Sequence, residues 1–254
     1  MSRSLLCVVF AAWAGAAFAD TYIILSLVGD HVTIVNQGGQ TGSRFDQNQY
    51  QVARLAEPVL DDFAVDDFAA RVADSVIAKL RPDASVTTLR ANDPALYTLR
   101  DSWLEADAIE VTALLSLLTK QFPPSRGAHL LLVAPHRADI ELRTTSDYRG
   151  HGKVAGLGFY LDTVTRARSS DTLESGIGFL GVFANFQLLL IDLQTGAIEA
   201  HERVAVGTTY AASRAADGKP WNALSQHEKS MALGSLMKTE IERALPGMLS
   251  SRRP

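Results

Sequence analysis

Phe183-Ala184-Asn185-Phe186-Gln187-Leu188-Leu189-Leu190-Ile191-Asp192-Leu193 is the stretch on which the fold turns. It is nearly continuous in apolar residues and shows no inside-outside alternation. That pattern belongs to a central strand of a sheet covered on both faces. Asp192-Leu193-Gln194-Thr195-Gly196 then turns the chain, with Gly196 placed for a left-handed backbone. On the return strand Ile198, Ala200, Val204 and Val206 are read as pointing one way, and Glu199, His201 and Arg203 the other.

Upstream, the period stays near two from Asp139 to Gly207, where Leu157, Phe159 and Leu161 alternate with small or polar residues. Before that lie helices. Val65, Phe68, Val72, Val76 and Leu80 recur on one helical face, and Pro82 stops the run. Asp61, Asp62, Asp66 and Asp67 suit the positive end of its dipole, and Lys79 and Arg81 the negative end. Ser85–Leu89 reads as a strand, Asp93-Pro94 as an N-cap with proline at the first helical position, and Leu96, Leu99 and Trp103 as the buried face that follows. A further helix is expected over Ala108–Leu118, closed by Pro123-Pro124, and a strand over His129–Ala134.

At the far end, Ser225 and Glu228 have capping-box spacing ahead of a helix with Leu233, Leu236, Met237, Ile241 and Leu245 on its core face. Pro246-Gly247 is expected to end it, leaving Ser251–Pro254 as a frayed tail. At the near end, Tyr22–Val28 and His31–Val35 flank Gly29-Asp30 and read as a hairpin. The expected organisation is therefore a hairpin over 21–36, a polar loop over 37–51 and a main body over 52–248. Together they make one mixed α/β domain from 20 to 254, with helices packed on a mixed sheet and an amphipathic C-terminal helix.

Residues 1–19 carry Arg3, an apolar run from Leu5 to Phe18, and Ala17-Phe18-Ala19 before Asp20, the pattern of a cleavable export signal. The run is too short and alanine-rich for a stable span, and no later stretch reaches about 18 uninterrupted apolar residues. The expectation is a periplasmic protein, or alternatively a secreted one, with no membrane span after cleavage. Cys7 is the single cysteine and leaves with the signal, so thiol nucleophiles, thiolate metal sites and disulfides are excluded from the mature chain. The chain has 24 Lys+Arg against 28 Asp+Glu, which gives no basic face for nucleic acid.

Chemical motifs thin out on inspection. Gly176-Ile177-Gly178-Phe179-Leu180-Gly181 matches the letters of a dinucleotide loop, but polar residues precede it and a strand-like run follows where a helix is required. Gly150-His151-Gly152-Lys153 lacks Walker spacing, since Asp147 stands where a glycine is needed. Ser235-Leu236-Met237-Lys238 has penicillin-recognising spacing, but too little chain follows for the partner motifs. No G-x-S-x-G occurs. His31, His129, His136, His151, His201 and His227 never fall in metal-binding spacing on one element. No catalytic, cofactor or metal residue is assigned on these grounds. Three polar groups stay under consideration: Asp30 with His31; Asp147, Arg149, His151 and Lys153 as an anion-binding loop; and the four aspartates of the first helix as a cation site.

The order of elements, with Gly127-Ala128-His129-Leu130-Leu131-Leu132-Val133 as a strand and Leu190-Ile191-Asp192-Leu193-Gln194-Thr195-Gly196 as a hairpin, resembles a known envelope domain. It is the α/β domain of the curli-secretion lipoprotein, penicillin-binding-protein activator and TolB N-terminal type, and the likeness extends over residues 55–245. His129 stands where that pattern has aspartate, and its lipoprotein cysteine is missing. The resemblance implies a non-catalytic role through contacts with another envelope protein and transfers no catalytic residue. Two other readings are a hydrolase assembled from Asp30, His31, Asp147 and His151, and a small-molecule carrier using Val154–Phe186.

Overall fold

The structure is a computed structural model describing residues 20–29, 31–37, 49–54, 64–118, 127–143, 148–149, 152–168 and 175–250. In chain order its elements are β1 (Thr21–Ser26), β2 (His31–Asn36), β3 (Gln49–Arg54), α1 (Val65–Leu80), β4 (Ser85–Leu89), α2 (Pro94–Ala106) and α3 (Val111–Leu118). These are followed by β5 (Ala128–Pro135), β6 (Arg137–Asp139), β7 (Leu142–Arg143), β8 (Tyr148–Arg149), β9 (Lys153–Arg168), β10 (Ser175–Asp192), β11 (Ile198–Ala211) and α4 (Gln226–Ser250). The export signal, Asp30, Asp61, Asp62, Asp147, His151, Pro123-Pro124 and the 251–254 tail lie outside the described residues.

β10 is the axis of a mixed sheet. One edge pairs with β11, antiparallel from Phe179↔Ala211 to Ile191↔Ile198. The other edge is shared: β9 takes residues 175–185 and β5 takes residues 186–192. β5 leads on to β1 and then β4, all parallel, while β9 leads on to β2 and then β3. The lower half of β10 is buried on both faces, as its composition requires. Leu188 and Leu190 pack with α1 and α4 on one face, and Leu189 and Ile191 pack with α2 and α3 on the other.

The expected N-terminal hairpin does not form, because β1 lies between β4 and β5 while β2 lies between β3 and β9. The physical reason is visible in β1. Tyr22 and Ile24 feed one core and Ile23 and Leu25 the other, so this strand needs a neighbour along each edge. Its end is also tied to α1. The Asp66 carboxylate accepts hydrogen bonds from Ser26 Oγ at 2.5 Å, Val28 N at 2.8 Å and Gly29 N at 3.2 Å. A Cβ on Gly29 would lie 2.5 Å from Val65 Cβ, so glycine permits the chain to press against this helix start. The expected polar loop is likewise cut short, since Gln49–Gln51 opens β3, whose polar composition suits an edge strand.

Other boundaries shift for local reasons. α3 starts at Val111 and not Ala108, because Asp107 takes a left-handed conformation (φ 50°) that ends α2. Leu80 is 45% exposed; Ala69, Ala73 and Ile77 complete the α1 core face instead. In α2, Arg100 is buried beside Leu96 and Trp103. α4 runs through Pro246 to Ser250, because Met248 and Leu249 are buried and Arg81 donates to Leu249 O at 2.7 Å. The Ser225–Glu228 capping box is formed, with Ser225 N donating to Glu228 Oε2 at 2.7 Å and Glu228 N to Ser225 Oγ at 3.3 Å.

The upper half of β10 explains the glycines that mimic a nucleotide loop. Here Val35, Ile140, Leu142, Val154, Tyr160, Phe179 and Phe183 form a third core. Leu142 presses onto the sheet: a Cβ on Gly181 would lie 2.6 Å from its Cδ1, and one on Gly207 2.8 Å from its Cδ2. Gly178 (φ +93°) sits in the bulge where β9 and β10 change register. These glycines are packing and bulge positions inside a strand.

Candidate functional site

A cleft opens where β5 leaves the sheet. β5 ends at Pro135, and His136 N still donates to Asn185 O at 3.0 Å. The end of α2 stands opposite, with Trp103 in its last turn and Asp107 as its left-handed cap. β11 closes the third side with Ile198, His201 and Arg203. The space is about 100 Å³, floored by Leu189 and flanked by Arg137, His136 and Gln187.

Hydrogen bonding fixes the polarity of this wall. Gln187 Nε2 donates to Pro135 O at 3.1 Å, so its Oε1 faces His201 Nε2 at 2.9 Å. An amide oxygen only accepts, so His201 carries its proton on Nε2 and turns an Nδ1 lone pair elsewhere. Burial holds the pKa values of both His136 and His201 below the ordinary imidazole value, and the neighbouring Arg203 guanidinium lowers them further. Asp107 works in the opposite direction on His136. At neutral pH the cleft therefore presents two neutral imidazoles beside permanent guanidinium charge. Arg137 and Arg203 make no ion pair among the described residues. The Trp103 indole Nε1 is buried with no acceptor among the described residues. An unmet buried donor costs about 1–3 kcal/mol. The arrangement can hold a small anionic group.

A second cluster uses the same three strands on the opposite face. His129 and Asp192 are register partners in β5 and β10, and by alternation they share the side of Leu131 and Leu190. His129 is buried, its ring 5.6 Å from that of Tyr22, and its Nδ1 lies 3.1 Å from Glu199 Oε2. Glu199 reaches it through a bulge: Leu190 pairs with Ala200 and Ile191 with Ile198, leaving Glu199 as the extra residue. The bulge re-aims it away from His201 and sends Ile198 to the cleft. The expected alternation of Ile198 and Glu199 is thereby exchanged. Asp192 Oδ1 accepts from Gln194 N, Thr195 N and Thr195 Oγ1, and those bonds pull its pKa below the usual carboxylate value despite some desolvation. Ligand atoms of His129, Asp192 and Glu199 all lie within 4.8 Å of one another.

The residues singled out by sequence fare unevenly. His31 opens β2 and Lys153 opens β9 as an exposed residue, while Asp30, Asp147 and His151 fall outside the described residues. The β2–β9 register pairs Thr33 with Gly158, which sets His31 opposite Gly156 and three residues along the strand from Lys153. Asp66 holds the end of β1, and Asp67 pairs with Arg90 at 2.9 Å, so both aspartates have structural work. Of the Val154–Phe186 segment, Val154, Tyr160, Phe179 and Phe183 pack in the core around Leu142, and Leu157, Phe159, Leu180, Val182, Ala184 and Phe186 in the core shared with α1 and α4. Sequence reasoning missed the cleft because His136 follows β5 while His201 and Arg203 lie on β11, about 65 residues further along the chain, and only strand register brings them together. The available signal was the polar triplet His201-Glu202-Arg203 beside a strand whose core Gln187 interrupts.

No protein-family model and no curated protein matches the sequence. Among solved structures, the chain is similar to a neuraminyllactose-binding hemagglutinin homolog from Helicobacter pylori. The TM-score is 0.36 at 5% identity, over 93% of this chain and 84% of that one. A likeness that distant carries no functional weight, and function has to be argued from the cleft.

Proposed function

We propose that the chain is a non-catalytic binding protein of the bacterial periplasm, acting through contacts with another envelope protein whose acidic side chain enters the His136–His201–Arg203 cleft. The carrying observation is size combined with polarity. A space of about 100 Å³ is roughly three waters' worth and well short of the roughly 300–1,000 Å³ that enclose a metabolite. It suits an end group. The charged groups around it are the Arg137 and Arg203 guanidiniums and the Asp107 carboxylate, two cations to one anion. The export-signal pattern of residues 1–19 and the resemblance of the element order to envelope domains support the compartment and the mode of action.

The test is photo-crosslinking in intact cells from a probe at Ile198, on the cleft rim. We expect a periplasmic protein with its N-terminus at Asp20, and an adduct that Arg203→Glu abolishes and an acidic peptide competes away. An adduct indifferent to both would refute the cleft, and a mature chain retaining residues 1–19 would refute the compartment.

A further inference from the structure

We propose that His129, Asp192 and Glu199 form a binding site for a divalent transition metal of the zinc type, on the sheet face opposite the cleft. Three observations carry it. The ligand atoms lie within 4.8 Å of one another, and the His129 Nδ1 to Glu199 Oε2 separation is 3.1 Å. Zinc bonds of about 2.0–2.1 Å at tetrahedral angles put neighbouring ligand atoms about 3.3 Å apart, so one pair already has the spacing that coordination requires.

Next, the ligands are held in place before any ion arrives. His129 is 1% exposed and packed against the Tyr22 ring, which leaves its imidazole little freedom. Asp192 Oδ1 is anchored by three donors of the 192–196 turn, which orients the carboxylate. Finally, the β11 bulge at Glu199 brings a carboxylate to this face that regular alternation would send to the other.

The donor set narrows the ion. An imidazole with two carboxylates favours zinc and its neighbours over calcium or magnesium, which take oxygen ligands alone. Three protein ligands leave a tetrahedral ion its fourth position for water or for a group brought by a partner. In the metal-free protein the same 3.1 Å contact serves as a His129–Glu199 pair, so an experiment has to separate pairing from coordination.

Chelator-treated full-length mature protein, titrated with Zn²⁺ by calorimetry and with Co²⁺ by visible absorption, makes that separation. We expect one Zn²⁺ per chain, a tetrahedral cobalt band, and at least tenfold weaker binding in both Asp192→Asn and Glu199→Gln. Far-ultraviolet circular dichroism of each variant verifies its fold, and Glu199→Gln, at an exposed bulge, provides the check if the Asp192 turn is disturbed. Absence of a cobalt band in the wild type, or zinc binding unchanged in a folded Glu199→Gln protein, overturns the site.

Discussion

The two histidine clusters are built from the same strands, β5, β10 and β11, and differ in almost everything else. On the α2/α3 face, the neutral imidazoles of His136 and His201 and the guanidiniums of Arg137 and Arg203 surround a small cleft that Asp107 also lines. On the α1/α4 face, His129 meets the carboxylates of Asp192 and Glu199. One face offers donors to an anion and the other offers lone pairs to a cation. Period two is responsible for most of this contrast, because neighbouring residues of one strand serve opposite faces. The bulge at Glu199 does the rest. Without it, the glutamate would face the guanidinium side and weaken the contrast on both faces.

The comparison can be broken most directly by reversing charge on one side. Arg203→Glu should weaken binding of an acidic peptide at least about tenfold, a loss of roughly 1.4 kcal/mol, measured by calorimetry. An unchanged affinity would mean that the cleft's charge is incidental.

Acidity gives the next largest effect. His136 and His201 have pKa values below the ordinary imidazole value, so the empty cleft is neutral at those rings near pH 7. A bound carboxylate favours their protonated forms, so affinity should rise about three- to fivefold between pH 7.5 and 5.5, with proton uptake seen as buffer-dependent heat. The sign for stability is opposite. The folded protein holds these protons less tightly than the unfolded chain, so their contribution is complete above about pH 6.5. It is lost as pH falls from there toward the lower folded pKa values. Chemical denaturation at pH 7.5 and 5.5 should therefore show a less stable free protein at the acidic value.

A cation on the opposite face sharpens the contrast by having no ligand to meet. Lys229 is buried on α4 with its ammonium 3.9 Å from the centre of the Trp221 ring, and burial lowers its pKa to about 8. Its charge is a cost that the ring offsets only in part. Lys229→Met should stabilise the protein at pH 7 by about 1 kcal/mol. It should also remove the gain in stability that the wild type shows as pH rises from about 8 toward the ordinary lysine value. The smallest effect expected is on the cleft from across the sheet: Asp192→Asn should change acidic-peptide affinity by less than about twofold.

How much of this was legible in the sequence depends on the range of the interactions. The Phe183–Leu193 strand, the Ser225–Glu228 capping box, the Asp93 cap and the left-handed Gly196 are local signals, and each stands where its residues indicate. The partners of β1 and β2 were not legible. Gly29-Asp30 looks like a turn in isolation, and only the distant Asp66 carboxylate reveals that the segment is held against a helix. The shared edge of β10 is also hidden, since β5 and β9 are each acceptable neighbours by composition. The site suffers most. His136, Gln187 and Arg203 become neighbours through strand register, and Glu199 faces His129 because of a single extra residue that no periodicity announces.

The central claim, that the His136–His201–Arg203 cleft accepts an acidic group, is tested most directly by nuclear magnetic resonance of the histidine rings. Spectra of ¹⁵N-histidine-labelled protein would be recorded during titration with an acidic peptide and with its side-chain amide counterpart. The account predicts saturable shifts at His136 and His201, raised pKa values for both in the complex, no comparable change at His129, and little response to the amide. Equal responses to acid and amide, or shifts confined to His129, would contradict it.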